Sequence, residues 1–489
     1  VFAILLFFSA PAVAGTASGI VFEDANGNGL HDAGEQGIGG IGLSNGRAIV
    51  RSAADGSYAI EAAKGDVVFA IKPPGRAFGR GDDGLPSFWH IADADDGRFD
   101  VALSPPRAAG DALEVLVFAD PQVASLVDID DYYTDIVQPL EGTTARLGLS
   151  LGDIVADDLS LYPTINKVTT SLGVPWLHVA GNHDLDGDAA DDAASLATFH
   201  RTYGPDTVAW EEPQASFIGL DDVIAQPGRR PAYLGGLRDD QFDFLEAYLP
   251  GVPKDRLLVL ALHIPLFDDA FRAADRERLL ALLQPFPRVL VLSGHRHTQR
   301  HVFHGHVHEY NVGAACGAFW SGVEDAAGVP DATMADGTPN GYARLVAGQG
   351  GDYALYWHNA RDPDDATIGL HAPKVLRRGA YPAFGVYANV YMGMDDTVVE
   401  YRVDEGAWRP MRKVLQPDPR LVVENVRDDL ATELRGWDRS PEAEPSHHLW
   451  RGALPTDLAI GEHTVEVRYM DRWRGEQRAS TRYRLADGM

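Results

Sequence analysis

The residues of this chain best suited to chemistry sit where short apolar runs stop. Val174-Pro175-Trp176-Leu177-His178-Val179 runs into Ala180-Gly181-Asn182-His183-Asp184, Leu113 to Ala119 into Asp120-Pro121-Gln122, and Leu147 to Leu151 into Gly152-Asp153. Leu257 to Leu262 runs into His263-Ile264-Pro265, and Arg288 to Ser293 into Gly294-His295-Arg296-His297. Each stop delivers a carboxylate, an amide oxygen or an imidazole. Such groups ligate first-row metal ions without the thiolates of a structural zinc site. Asp120, Gln122, Asp153, Asn182, His263, His295 and His297 are too many ligands for one ion and suit two, if one carboxylate bridges. Paired ions about 3.5–4 Å apart clamp the attacking and leaving oxygens of an in-line displacement and lower the pKa of a bound water toward neutrality. Hydrolysis of a phosphate ester uses both properties.

These residues need a scaffold that brings distant loops together. A short apolar run ended by Gly or Pro reads as a buried strand, and in open α/β sheets the site lies beyond the carboxyl ends of the strands. Helical periods fill the intervals: an acid-rich stretch over 191–200, then 238–249 with Phe242, Leu245 and Leu249 on one face, then 270–283 with its Leu279-Leu280-Leu282-Leu283 run. Strands alternating with helices imply βαβ units and a largely parallel sheet. His178, inside its strand, is expected to be structural; His304, His306 and His308 alternate as on one face of a half-exposed strand.

The flanks follow another rhythm. From 15 to 106, short strands (48–50, 57–60 and 67–71) separated by Gly and Asp turns predict a small β-sandwich. Within it, Asp24 to Glu35 fits the twelve-residue calcium loop: Asp24, Asn26, Asn28, Leu30, Asp32 and Glu35 fall at ligand positions, with Gly29 at the sharp turn. Its flanks read as strand and loop, not as paired helices, and the passage resembles the calcium-binding β-sandwich repeats of bacterial surface adhesins. A polar linker over 359–372 leads to a second predicted β-sandwich, 373–489, whose runs 385–391, 397–403 and 463–469 alternate with period two. Residues 1–14 combine the apolar run Phe2 to Phe8 with Ala12-Val13-Ala14, the pattern of an export signal cleaved after Ala14. The run is too short to span a bilayer.

Composition narrows the partners. With 42 basic and 71 acidic residues the net charge is −29, a surface that repels polyanions and makes nucleic acid a poor partner. A small or lipid-linked phosphate ester held through metal remains compatible. The single cysteine, Cys316, excludes an intrachain disulfide framework and reads as a small buried apolar side chain. No HExxH, GxSxG or Walker motif supports a zinc protease, serine esterase or NTPase.

Asp120-x-Gln122, Gly152-Asp153, Gly181-Asn182-His183-Asp184, His263 and Gly294-His295-x-His297 together resemble, in order, the sequence blocks of calcineurin-like metallophosphoesterases, over about 113–357. The resemblance implies an α/β catalytic domain over 107–358, a four-layer α/β/β/α sandwich flanked here by the N-terminal and C-terminal β-sandwich domains. It puts Asp120, Gln122 and His297 on one metal and Asn182, His263 and His295 on the other, with Asp153 bridging. His183 would contact the phosphoryl group or protonate the leaving oxygen, steadied by Asp184. Gln122 stands where many members have histidine; a neutral oxygen is harder than imidazole and tilts that position toward Mn or Fe over Zn. The flanking domains and the loops after the ligand blocks look like those of bacterial exported members, and Trp320, Asn340 and Tyr342 are candidates to line the substrate pocket. The expected protein is an exported (periplasmic or extracellular) phosphoesterase using metal-activated hydroxide on phosphate mono- or diesters. Alternatives are a Mn-dependent diphosphatase acting on nucleotide-sugar or nucleotide-alcohol substrates and a surface-binding protein with an inactive central domain.

Overall fold

A computed structural model describes residues 15–488, except 93–96, 109, 364–365, 383 and 437. The expected export signal therefore lies outside the described residues.

The centre of the chain forms two mixed sheets. One runs in the order Trp176–Val179, Leu147–Leu151, Leu113–Phe118, Gly341–Ala347, Tyr353–Asn359, with the first three strands parallel. The other runs Thr207–Glu211, Ala215–Leu220, Leu257–Ala261, Val289–Ser293, Val307–Asn311, Arg300–His304, with a parallel core of four strands. Strands buried on both faces must read as continuous apolar runs, and Leu147–Leu151, Leu257–Ala261 and Val289–Ser293 are buried at every position. The sheets meet face to face: a side chain grown at Gly219 would touch Val179 across the interface. With helices outside, this is the four-layer α/β/β/α sandwich. All the parallel strands end on the same edge, which is what gathers the ligand-bearing loops.

Helices Asp239–Tyr248 and Ala273–Leu283 match the periodic segments. The acid-rich stretch differs. It holds one 3-10 turn at Asp192–Ala194 and then a helix over Ala197–Tyr203. Asp191 caps the turn by accepting the N–H of Ala194, so the acids start a turn and the apolar Phe199 and Tyr203 set the helix. Residues 300–311 also differ from the expected single strand. Gly305 (φ 60°) breaks them into a hairpin. His304 is exposed, His306 reaches Leu283 O, and His308 is buried with its Nε2 2.9 Å from Nδ1 of His301. They share no face.

At the amino end, the sheets Ser57–Ala62/Gly15–Glu23/Val101–Leu103 and Ile49–Arg51/Gly42–Ser44/Val67–Ala70/Trp89–Ile91 pack together. Their core is continuous with that of the central sheets. The junction is closed by a buried ion pair, Lys72 Nζ to Glu212 Oε1 at 2.5 Å, and by the backbone bond from Glu211 N to Lys72 O at 3.0 Å. The carboxy-terminal sheets, of four and five strands, enclose a core of their own around Val386, Trp450, Val465, Val467 and Tyr483. This part also contains a helix, Pro419–Leu430, that alternation alone did not suggest. Its start was legible: Asp418 caps it by accepting the N–H of Arg420, and Pro419 occupies the first turn.

Candidate metal centre

The five ligand-bearing loops lie side by side. Val123 bridges to Val155, Gly294 N donates to His263 O at 2.9 Å, and Gln122 N donates to Asp153 O at 2.8 Å. Contact this close excludes a Cβ beside the ligands. One grown on Gly181 would stand 2.3 Å from Asp153 Oδ1, and one on Gly294 would stand 2.7 Å from Asp120 Oδ2.

Backbone strain is concentrated here. Asp120 (φ 47°), Gln122 (39°), Asp153 (48°), His295 (73°) and His297 (48°) all occupy the left-handed region. Each such residue costs on the order of 1–3 kcal/mol and persists only where its surroundings over-determine it.

The side chains then converge. His263 Nδ1 lies 2.9 Å from Leu151 O, which fixes the ring and turns Nε2 inward. That Nε2 is 3.0 Å from Asn182 Oδ1, 3.1 Å from His295 Nδ1 and 3.4 Å from Asp153 Oδ2. On the other side of Asp153, Asp120 Oδ1 lies 3.8 Å from His297 Nε2, and the opposite ring nitrogen of His297 is 2.8 Å from Gly317 O. Asp120 also accepts the backbone N–H of His295 at 2.9 and 3.0 Å. Imidazole nitrogens fixed through their second nitrogen, facing carboxylate and amide oxygens, form a donor set that a cation satisfies.

The electrostatics agree. Burial would lower His263, but the carboxylates of Asp153, Asp120 and Asp222 outweigh it and raise the ring to about 10. Burial would raise Asp153, and His263 and His183 instead hold it near 2. Asp120 is raised by burial to about 8, and burial lowers His295 to about 3 and His297 to about 4. A positive charge on His263 and a metal ion compete for the same lone pairs.

Several expected residues do something else. Asp184 is fully buried and accepts from Gly181 N (2.8 Å), Ile154 N (3.1 Å) and the Tyr162 hydroxyl (2.9 Å). It ties two ligand loops together and does not steady His183. The carboxylate beside His183 is Asp157, whose Oδ1 lies 2.8 Å from Nδ1. Trp320, Asn340 and Tyr342 are likewise buried. Trp320 Nε1 donates to Pro121 O (2.8 Å), Asn340 Nδ2 donates to Ala315 O (3.1 Å), and Tyr342 stacks on His358. Phe319 displays its ring beside the candidate ligands. It is 63% exposed, stands at φ 59°, and its centroid is 5.0 Å from that of His297. Cys316 is buried as expected, yet it sits behind the ligands, with Sγ 4.0 Å from Gln122 Oε1 and 3.7 Å from His297 Nδ1.

Sequence reasoning also passed over Asp222. It lies two residues past the strand Ala215–Leu220 and accepts the N–H groups of His263 and Ile264, both at 3.1 Å. The strand-end rule that located the ligands would have found it. For Asp157 the signal was a second acid in the loop that carries Asp153.

The calcium-type loop lies far along the chain from this centre. Asp24 accepts from Gly27 N (2.6 Å) and Gly29 N (2.8 Å), Asn26 and Asn28 amides donate to Asp32 Oδ2 (2.8 and 2.9 Å), and Glu35 accepts from Ala25 N and Asp32 N (2.9 and 3.0 Å). Leu30 is 66% exposed.

Residues 113–299 match the family described as Calcineurin-like phosphoesterase, and residues 309–476 match the C terminal of Calcineurin-like phosphoesterase. The chain belongs to the calcineurin-like phosphoesterases. The C-terminal match begins at Glu309, inside the central sheets, and Ile368–His371, within the expected linker 359–372, is a strand of the carboxy-terminal four-stranded sheet. Among solved structures, the chain is similar to the purple acid phosphatase PPD1 of yellow lupin (Lupinus luteus) seeds, at 11% identity over 66% of this chain and 67% of that one, with a TM-score of 0.39. It is also similar to GAP50, the anchor in the inner membrane complex of Plasmodium (13%, 52% and 86%, TM-score 0.33), and to Vacuolar Protein Sorting 29 from Cryptosporidium parvum (14%, 52% and 94%, TM-score 0.26). No curated protein matches the chain.

Proposed function

We propose that the chain is a dinuclear-metal phosphoesterase hydrolysing phosphate mono- or diesters. The observation that supports this most is the strained convergence of the ligand loops: five ligands at positive φ around one cluster of inward-facing lone pairs. Asp120, Gln122 and His297 would hold one ion and Asn182, His263 and His295 the other, with Asp153 between them. Ions bound there supply Lewis-acid polarisation of the phosphoryl oxygens and a water acidified toward neutral pH. The chain's own contribution is geometric. The loops fix where the phosphoryl oxygens sit, and His183, held at Nδ1 by Asp157, leaves Nε2 as the nitrogen that meets the leaving oxygen. The neutral oxygen of Gln122 favours Mn or Fe over Zn at its position.

Metal analysis of the purified protein, followed by assay on p-nitrophenyl phosphate, bis-p-nitrophenyl phosphate and ADP-ribose with Mn²⁺, tests the reading. Turnover of ADP-ribose above the other two would favour the diphosphatase alternative. Bound metal without turnover of any phosphoester would favour a binding protein. A preparation with neither metal nor turnover would end the proposal.

Phe319 bears on the substrate. An exposed ring held beside the ligands suits a planar or apolar leaving group. Phe319→Ala should lower kcat/KM for aryl phosphates by about 2- to 12-fold, the loss of one aromatic contact of about 0.5–1.5 kcal/mol, and leave small alkyl phosphates unchanged. Equal losses on both would remove the role.

The remaining parts of the reading concern the flanks. The loop Asp24–Glu35 is proposed to hold one structural Ca²⁺, its oxygens already gathered by their own backbone bonds. Calcium at about 100-fold above its Kd would add about 2.7 kcal/mol to the state that binds it. The full chain should then melt several degrees higher with calcium than with chelator, measured by calorimetry on metal-loaded protein. An Asp24→Ala, Asp32→Ala variant that still responds would contradict the site. Export rests on the pattern of residues 1–14. Among the described residues, no helix is long and apolar enough to cross a membrane.

A further inference from the structure

We infer that the carboxy-terminal domain is a built part of the metal centre, with His448 acting through Asp336 as a positioning residue for His297. The inference rests on the metal reading above and adds a one-sided dependence to it.

His297 is held at two points. Its Nδ1 faces Gly317 O at 2.8 Å, and two residues on, Gln299 N donates to Asp336 Oδ2 at 2.9 Å. Both acceptors belong to the segment 312–340, which has no long strand or helix of its own. Irregular segments of this length hold one shape only where something grips them. The two arms touch: a Cβ on Gly317 would lie 1.5 Å from Ala332 O, so a shift near 336 must pass to Gly317.

The grip comes from the other domain. Asp336 Oδ2 lies 3.0 Å from His448 Nε2, and His448 Nδ1 lies 2.6 Å from Asn389 Oδ1. Asn389 Nδ2 donates to Asp336 O at 2.9 Å and to Asp418 Oδ2 at 2.8 Å. Arg420 donates to Gly337 O at 2.7 Å, and Glu444 N donates to Ala335 O at 2.9 Å. Asp336, Asn389 and His448 are 2%, 0% and 1% exposed, so water cannot replace a lost partner. Ser446, His448 and Asp336 resemble a catalytic triad in composition, but their burial excludes a substrate.

The second ligand group has different supports. His263 is set by Leu151 O and Asp222, and the loop of His295 by the backbone bond from Gly294 N to His263 O. None of these belongs to the carboxy-terminal domain. Loss of His448 should therefore loosen the position of Asp120, Gln122 and His297 and spare that of Asn182, His263 and His295.

The test is calorimetric titration of the full chain with Mn²⁺, and with Co²⁺ to follow visible absorption, in His448→Ala, Asp336→Asn and His448→Gln. Circular dichroism monitors the fold. The wild type should take up two ions. His448→Ala and Asp336→Asn should bind one of them about 10- to 100-fold more weakly and the other unchanged. His448→Gln, whose amide nitrogen can stand near the lost Nε2, should recover most of the difference. If His448→Ala does not fold, Asp336→Asn decides. Two unchanged affinities in a folded variant, or equal weakening of both, would overturn the coupling alone. A wild type that binds fewer than two ions would overturn the metal reading, and the coupling with it.

Discussion

Asp153→Asn should cost the protein both metal ions together and lower kcat/KM by at least about 10³-fold, the equivalent of about 4 kcal/mol of lost Lewis-acid stabilisation. The size follows from position. Asp153 Oδ2 is 3.4 Å from His263 Nε2, Oδ1 accepts the backbone N–H of His183 at 2.9 Å, and the carboxylate is 2% exposed. It is the carboxylate between the two ligand groups and the main partner of the charge on His263. The asparagine keeps the shape and the bond to His183 N, so the fold should survive while the negative charge is lost. Metal content by mass spectrometry and turnover at saturating Mn²⁺ check the result. Loss of one ion with the other retained would deny Asp153 its bridging place.

How much of this was legible in the sequence depends on how locally each feature is encoded. Strand ends are local. An apolar run stopped by Gly or Pro locates both the buried strand and the loop after it, and the loops so located carry the candidate ligands. Which group a loop side chain touches is not local. Asp184 follows His183 directly, yet its carboxylate turns back to Gly181 and Ile154, while Asp157 reaches the ring from another loop. Trp320 and Asn340 illustrate the same limit. Aromatics and amides in a Gly-rich stretch suggest a pocket, but here they satisfy Pro121 O and Ala315 O and hold the loop from beneath. The left-handed conformations of Asp120, Gln122, Asp153, His295 and His297 were invisible, because none is glycine. They are imposed by neighbouring loops and not by the residues' own preference.

The division into domains was legible only in part. Two β-sandwich rhythms bracket the α/β region, but the amino-terminal sheets share its core through Lys72 and Glu212. The carboxy-terminal sheets have a core of their own, yet Tyr391 and Met392 join the central core and Trp473 packs against it, beside the buried polar contacts of Asn389, Arg420 and His448 with the segment around Asp336. Apolar continuity makes the first junction a matter of stability. The second junction adds buried hydrogen bonds that depend on exact partners, and on these the proposed influence on one metal position rests.

His183→Ala, by contrast with Asp153→Asn, should leave both ions bound and lower kcat by about 10²–10⁴. The imidazole is outside the ligand cluster: its side chain is 32% exposed, and its Nδ1 is engaged by Asp157. Its backbone N–H, which the substitution keeps, is what touches Asp153, so the metals should not sense the change. The loss should also depend on the leaving group. An alkoxide must be protonated as it departs, whereas p-nitrophenolate leaves without help, so the deficit should be larger on alkyl than on p-nitrophenyl esters. Asp157→Asn should give a smaller loss, about 10- to 100-fold, because the amide can still face Nδ1 but holds the ring through a neutral hydrogen bond. Its side chain is 79% exposed, so the variant should fold normally. If His183→Ala shows full turnover with metals in place, the proton must reach the leaving oxygen from solvent, and the strained placement of Asp157 (φ 69°) would need another explanation.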